Sequence, residues 1–563
     1  MNNMKYWTGF FLFILMGLLL QGQTNTNQNT RQITSMSGTY TIDNTLPTTA
    51  PATPGGNFAS FTAAINALNS DSITGSIIIN VSAGQVFIEN PPEINCLGNT
   101  YDIIFQRSGS GNNPVIRPTG SSSMNEGAIN LVGADYFTFD GIDISIRFGS
   151  SLECGYVIEN ESAWDGAQHN TIKNCTITLN KANTMGRGVF QATLLPVFAF
   201  SGSNSYNTYK NITVYNCNQG IELIADRDFP DIDCHVDSNT IGGLPPNDIG
   251  DIFIRSCGIK AKNLEDFSII GNTVSNVSST GNYACGIFVE NTFGTNTVAN
   301  NIIYDITVAT QDEDKIVYGI YVIDSIGTTL VSNNMLSQIT HERSTPTTNF
   351  IVRGISVYTA TLGTVNVFYN SVQINEDENA SVAAFYMEDG TVSILNNILS
   401  NVSDTSSSSF RYCIYKNNGV LSSDFNDLHI DTSGTNNYTG YDGSNYIGLS
   451  DWQTGSGDDY SSLNITPPFI SATNLHIIAT DSAVNNLGTP CTVLYDIDQD
   501  SRDAVTPDIG ADEYTYTTTD LAMYSVSAPV AGCMTSAETV VVLIENTGLD
   551  TIYCSVTPVQ INV

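Results

Sequence analysis

One phrase recurs along the middle of this chain and restricts its fold more than any other feature. It reads "TIKNCTITLN", "TYKNITVYNC", "VDSNTIGGL", "SIIGNTVSNV", "TVANNIIYDI", "LVSNNMLSQI", "NVFYNSVQIN" and "SILNNILSNV". Each copy sets two short apolar stretches about an asparagine. Aligned on the last Asn before the second stretch, the copies give Asn174, Asn211, Asn239, Asn272, Asn301, Asn334, Asn370 and Asn397, spaced by 37, 28, 33, 29, 33, 36 and 27 residues. Asp140 in "FTFDGIDISI" stands 34 residues before the first, and Asn426 in "SDFNDLHI" 29 after the last.

A second column keeps the same phase: Gly220-Ile, Gly258-Ile, Gly286-Ile, Gly319-Ile, Gly354-Ile and Ala384-Phe, each 13 to 19 residues ahead of its Asn. Every unit therefore holds one strand opened by Gly and two strands hinged at Asn. Three short strands per repeat, without helical periodicity, describe one coil of a parallel β-helix. Leucine-rich and WD40 repeats are excluded by the absence of their signatures. Asn suits the hinge because it tolerates the left-handed backbone region, and its amide can bond the equivalent Asn one coil away.

Composition supports an all-β chain with a polar, weakly charged surface. Of 563 residues, 41% are hydrophobic and only 13% charged, with 19 Lys and Arg against 55 Asp and Glu. A formal charge of −36 excludes a nucleic-acid or anionic-membrane partner. The apolar run Phe10–Leu20 follows a single Lys and is too short to span a bilayer, so residues 1–23 read as a cleaved secretory signal and no transmembrane segment is expected. The eleven cysteines leave at least one unpaired. Cys533 and Cys554 are the expected disulfide. Cys257 and Cys285, each before a Gly-Ile pair, form either a buried thiol stack or a disulfide. No Cys or His spacing suits zinc.

The repeats from about Tyr136 to Leu428 resemble the right-handed parallel β-helix of the pectate-lyase-like superfamily. The flank "NFASFTAAINALNSDSITGSIIINVSAG" resembles the opening of secreted β-helix surface proteins exported by the type IX route. That resemblance implies an amphipathic helix through Phe58, Phe61, Ile65 and Leu68 capping the first coil. "LYDIDQDSRDAVTPDIGADEY" resembles the closing segment of the same proteins. The expected organisation is a signal at 1–23, an N-terminal cap and first coils at 24–135, repeats at 136–430, and last coils with the closing segment at 431–515. After Tyr514 the alternation around "VVVLIENTG" resembles the start of an immunoglobulin-like or CARDB-like sandwich at 516–563. Its shortness reads as a truncated sandwich.

With Ile inward, one outward column of the Gly-Ile strands is Glu222, Lys260, Phe288, Tyr321, Ser356 and Tyr386, and its neighbour is Ile224, Lys262, Glu290, Ile323, Tyr358 and Glu388. Aromatics beside charged groups on a long face suit an extended sugar chain, which makes Phe288, Tyr321, Tyr358, Tyr386 and Glu388 the candidate carbohydrate contacts. The bland alternative is a surface ladder of rings. Catalysis by Glu222, Lys260, Lys262 and Glu290, as in a lyase or an inverting hydrolase, is the weaker reading. The Gly-His-Gly and Arg-Ile-Lys phrases of polygalacturonase-like hydrolases are absent.

Two acidic stretches raise the question of calcium. "DRDFPDIDCHVD", Asp226 to Asp237, either binds calcium, guards a groove or is simply solvated. Asp496, Asp498 and Asp500 alternate like the start of a calcium loop, but Ser501 and Pro507 break an EF-hand. A looser calcium site and a closing turn in which Arg502 pairs with an Asp both stay open, and no other cofactor is expected. The sequence points to a secreted or cell-surface monomer that binds an extended polysaccharide or serves adhesion. A polysaccharide lyase or hydrolase and a purely structural surface protein are the competing readings.

Overall fold

The computed structural model describes residues 35–517 and the strands Leu521–Ala528 and Val541–Asn546. Excepted are 52–54, 97, 121–124, 147–150, 181, 244–248, 252–255, 282, 313, 324, 360–362, 376–378, 404–408 and 431–434. The signal segment, Cys533 and Cys554 lie outside the described residues.

Three long sheets run side by side, here called I, II and III, with 14, 14 and 12 strands among the described residues. One coil takes the chain through Thr328–Ser332 in sheet I, Met335–Ser337 in sheet II and Phe350–Tyr358 in sheet III, and then to Thr364–Phe368 back in sheet I. Pairing is parallel from coil to coil, for example Val331↔Val367 in sheet I and Leu336↔Val372 in sheet II. The fold is a parallel β-helix. Its interior is a set of stacked apolar columns, such as Ile221, Ile259, Ile287, Ile320, Ile355, Phe385 and Ile414, all fully buried. Burying each such side chain stabilises the coil by about 1.5–3 kcal/mol relative to leaving it exposed.

The bend from sheet I to sheet II divides between two positions the work expected of one asparagine. The first is left-handed: Asn300 has φ 57°, Asn333 52° and Asn396 58°, and Ser238, Tyr369 and Phe425 occupy it elsewhere. The second is extended and buried. Asn239, Asn272, Asn301, Asn334, Asn370, Asn397 and Asn426 fill it in seven consecutive coils, all at 2% exposure or less. In this ladder the backbone N–H and the Nδ2 of each Asn both donate to the Oδ1 of the next, at 2.9–3.0 Å. The other Nδ2 hydrogen goes to a sheet I carbonyl of the preceding coil, as from Asn334 to Val298. Asn174 and Asn211 are corrected by one position. Both are left-handed, φ 57° and 52°, and Cys175 and Ile212 take the buried place.

The Gly column of sheet III has a packing cause. A Cβ on Gly188, Gly220, Gly258, Gly286, Gly319 or Gly354 would fall 2.4–2.7 Å from the carbonyl oxygen of the next residue in the column. It would also meet a sheet II side chain, Val274 for Gly258 and Ile303 for Gly286.

Both ends of the helix are closed. Helix α1, Phe61–Ser70, buries Phe61, Ala64, Ile65, Ala67 and Leu68, and Ser60 caps it by accepting from the Ala63 N–H. Phe58 belongs to the short strand before it. At the other end α2, Leu449–Ser456, lays the fully buried Trp452 against Gly440. The indole donates to Asp459, whose other oxygen accepts from Asn426 and so ends the ladder.

The closing segment then turns back along the outside of sheet II. Leu475, Ile477, Val484, Ile509 and Ala511 cover Met335 and Ile398. Asn333 donates to Tyr495 O, Asn396 to Thr489 O, and Ala511 N to Ser371 Oγ. Beyond it, Leu521–Ala528 and Val541–Asn546 form an antiparallel pair, which is what is described of the expected sandwich.

Candidate functional site

The outer face of sheet III collects the ionisable and aromatic side chains that the Gly-Ile register predicts. Pairing runs Glu222↔Lys260↔Phe288↔Tyr321↔Ser356↔Tyr386 in one column and Ile224↔Lys262↔Glu290↔Ile323↔Tyr358 in the next. One member is corrected. A bulge after Val357 sets Asp389, not Glu388, opposite Tyr358. A further outward column carries Arg187, Gln219, Cys257, Cys285, Tyr318 and Arg353. Cys257 and Cys285 are free, buried thiols in direct register.

The four residues of the catalytic reading are placed in two ion pairs. Glu222, 2% exposed, lies between Arg187 Nε at 2.5 Å and Lys260 Nζ at 3.0 Å. Lys262 pairs with Glu290 at 2.8 Å. All four are thus engaged in ion pairs, Lys262 and Glu290 at the partly exposed end. Arg187, which comes from the coil before Glu222, is what the sequence reading missed.

The aromatic residues form a ladder whose faces are occupied by one another. Phe288 stacks on Tyr321 at 5.3 Å, and Tyr321 on Tyr318 at 4.3 Å. Ser356 leaves a gap that Arg353 bridges, its guanidinium 3.7 Å from the Tyr386 ring centre and 5.6 Å from that of Tyr318. The stack resumes from Tyr386 to Tyr415 at 5.1 Å and Tyr441 at 4.6 Å, nearly parallel. Phe288 and Tyr386 are 6% and 8% exposed, so these two rings do not offer the open faces expected for sugar stacking. No described residue accepts from the Tyr386, Tyr415 or Tyr441 hydroxyl, and none of the three is sealed from solvent. Burial pushes the Tyr415 phenol up to about 12, so it remains a donor at neutral pH. Glu388 faces Arg353 at 3.9 Å, and Lys416 pairs with Asp442 at 3.0 Å along the rim.

Tyr415 and Tyr441 continue the Tyr386 column into two more coils, and Tyr412 and Tyr438 continue that of Arg353. Their signal stands in "YCIYK" and "YTGYD", where Cys-Ile (Cys413) and Thr-Gly (Thr439, Gly440) stand in place of the Gly-Ile pair. At the other end of sheet III, the loops after Cys154–Glu159 and Arg187–Ala192 expose Trp164 and Phe198, edge to face at 5.9 Å.

The acidic stretches resolve into structural turns. Asp496 accepts from the N–H groups of Asp498, Asp500 and Glu513, at 2.7–2.9 Å. Asp512, not Asp500, completes the carboxylate group with Asp496 and Asp498. Asp512 also accepts from Ile477 N, and Asp498 faces His476 at 3.0 Å. A hard cation takes six to eight oxygens. These carboxylates already serve the turn. Arg502 pairs with Glu513 at 3.2 Å rather than with an Asp, and lies over Tyr369. In the other stretch Asp231 points inward, fully buried, and accepts from Gln191 and from Asn204 N; burial raises its carboxyl to about 6.

No protein-family model matches the chain, and no curated protein sequence is similar to it. Among solved structures it is similar to pectate lyase Pel9A, with 13% identity, 86% of this chain and 98% of that one covered, and a TM-score of 0.39. A GH136 lacto-N-biosidase from Eubacterium ramulus shows 9% identity over 68% and 65% of the two chains, with a TM-score of 0.37. The periplasmic alginate epimerase AlgG shows 14% identity over 61% and 76%, with a TM-score of 0.28. At these values the likenesses do not bear on activity.

Proposed function

We propose that this protein binds an extended polysaccharide along the outer face of sheet III without cleaving it. The observation that carries the reading is the line of free tyrosine hydroxyls, Tyr386, Tyr415 and Tyr441, repeated once per coil on rings locked by mutual stacking. Such a comb pairs with hydroxyls repeated along a sugar chain, and its rigidity limits the ordering entropy of binding. Tyr321, Tyr358 and Glu388 extend the contact. The pairing of Glu222 and Glu290 with cations supports binding over catalysis.

The apolar N-terminal run of the sequence supports a function outside the cell, and the resemblance of the flanks to type IX-exported surface proteins favours adhesion as its use. No helix among the described residues is long and apolar enough to cross a membrane. The test is affinity electrophoresis of the full chain in gels containing neutral and acidic polysaccharides, with the same mixtures assayed for reducing ends and unsaturated products. Retardation without product, relieved by Tyr415→Ala, is expected. Product that disappears with Glu222→Gln or Lys260→Ala would establish the lyase or hydrolase reading instead. Retardation by no polysaccharide leaves a structural role.

A further inference from the structure

We propose a second, separate ligand site on the outer face of sheet II, a cleft that takes one neutral sugar residue. It does not rest on the tyrosine face. The cleft has a volume of about 250 Å³ and is lined by Asp305, Thr307, Gln338, Thr340, Gln373, Asn375 and Ala472. At about 30 Å³ per water it holds about eight waters, the size of a single pyranose and not of an oligosaccharide.

Its position follows from the fold. The closing segment covers sheet II with apolar side chains at Met335 and Ile398, and its Ala472 joins outward residues of the sheet in lining the cleft. Asp305 and Gln338 sit one coil apart in register, both left-handed, with φ 55° and 49°. Thr307 and Thr340 lie beside them and share a hydrogen bond at 2.9 Å.

The lining differs from the buried Asn ladder, in which each side-chain amide is bonded to its neighbours. Here no described residue bonds the Asp305 carboxylate or the side-chain amides of Gln338, Gln373 and Asn375, and the Gln338 Oε1 is enclosed with no donor at all. Four unpaired polar groups and two hydroxyls converging on one cavity supply the mixed donors and acceptors that a ring of hydroxyls requires. Ala472 offers the lone apolar contact. Among the described residues Asp305 is the only charged lining group and no cation pairs with it, on a chain of charge −36, so an acidic sugar is repelled and a neutral one is accepted.

Saturation-transfer NMR on the full chain tests this, with D-glucose, D-galactose, D-mannose and N-acetyl-D-glucosamine as probes and calcium chloride as a separate arm. Saturable binding of at least one sugar is expected, weakened about tenfold by Asp305→Asn and by Gln338→Ala, as for loss of one hydrogen bond to a charged or enclosed group. Tyr415→Ala should leave it unchanged. Saturation by none of the four sugars overturns the proposal. So does binding that follows Tyr415→Ala, which assigns the sugar to sheet III, and so does calcium binding lost in Asp305→Asn without any sugar signal.

Discussion

Replacing Asn334 by Ala isolates the buried ladder from the left-handed turn beside it. The Asn334 Oδ1 accepts from the backbone N–H and the Nδ2 of Asn301, and its own Nδ2 donates to Val298 O and Asn370 Oδ1. Alanine removes all four bonds. Asn370 Oδ1 keeps the Asn334 backbone N–H and the Asn301 amide keeps Ile269 O, but the Asn301 N–H, one Asn301 amide hydrogen and Val298 O lose their partner at fully buried positions. Each buried, unsatisfied group costs about 1–3 kcal/mol, so the variant loses at least about 3 kcal/mol. Asn211→Gly is the control. Asn211 is left-handed and exposed, with one 3.2 Å bond to Asn174, and Gly adopts that backbone freely, so a change within about 0.5 kcal/mol is expected. Urea unfolding followed by circular dichroism, with hydrogen exchange at Asn301 and Met335 to localise the loss, reads both. Equal tolerance of the two substitutions would refute the division of the bend into a ladder position and a turn position.

Other outcomes follow from single contacts. Glu222→Gln strips the counter-ion from Arg187 and Lys260 at once; a loss of about 3–5 kcal/mol is expected in urea unfolding, and a neutral result would mean the pairs are not desolvated. Asp427 is buried, accepts only from Ile465 N, and is raised to about 7 by desolvation. Its folded pKa lies above the unfolded one near 3.9, so the native state holds the proton longer and stability falls as pH rises from about 4 to about 7. Asp427→Asn should flatten that part of the pH–stability curve and raise stability at pH 8 by a few kcal/mol; an unchanged curve contradicts the assignment. Arg502→Ala removes bonds to Asn333, Gly510 O and Glu513 together with the stacking on Tyr369, so faster exchange confined to residues 463–516 is expected. Protection equal to that of the parent chain would show that the closing segment is held by its apolar contacts alone.

Periodicity carried most of the fold, because a coil must repeat its inward apolar positions and its glycines wherever strands stack. Ile259 and Ile287 are legible for that reason. Counting residues could not separate two adjacent asparagines with different tasks, so Asn174 and Asn211 were aligned with the ladder although Cys175 and Ile212 occupy it. Nor could it show that Arg187 reaches Glu222, since outward partners obey no pattern. The contacts of the closing segment join residues 93 to 169 apart, as between Asn396 and Thr489 or Asn333 and Arg502, and no local signal marks them. The tyrosine column is legible as far as Tyr386, and beyond it Cys413 and Gly440 break the Gly-Ile motif that marks it.

The proposed function is tested most directly by a triple substitution of Tyr386, Tyr415 and Tyr441 to Phe. The rings and their stacking remain, and three hydroxyls are deleted. At about 0.5–1.5 kcal/mol per hydrogen bond, affinity for the retained polysaccharide should fall by about 1.5–4.5 kcal/mol, roughly ten- to a thousand-fold, with the unfolding curve unchanged. Undiminished affinity in the triple variant would contradict recognition by the tyrosine edges of sheet III.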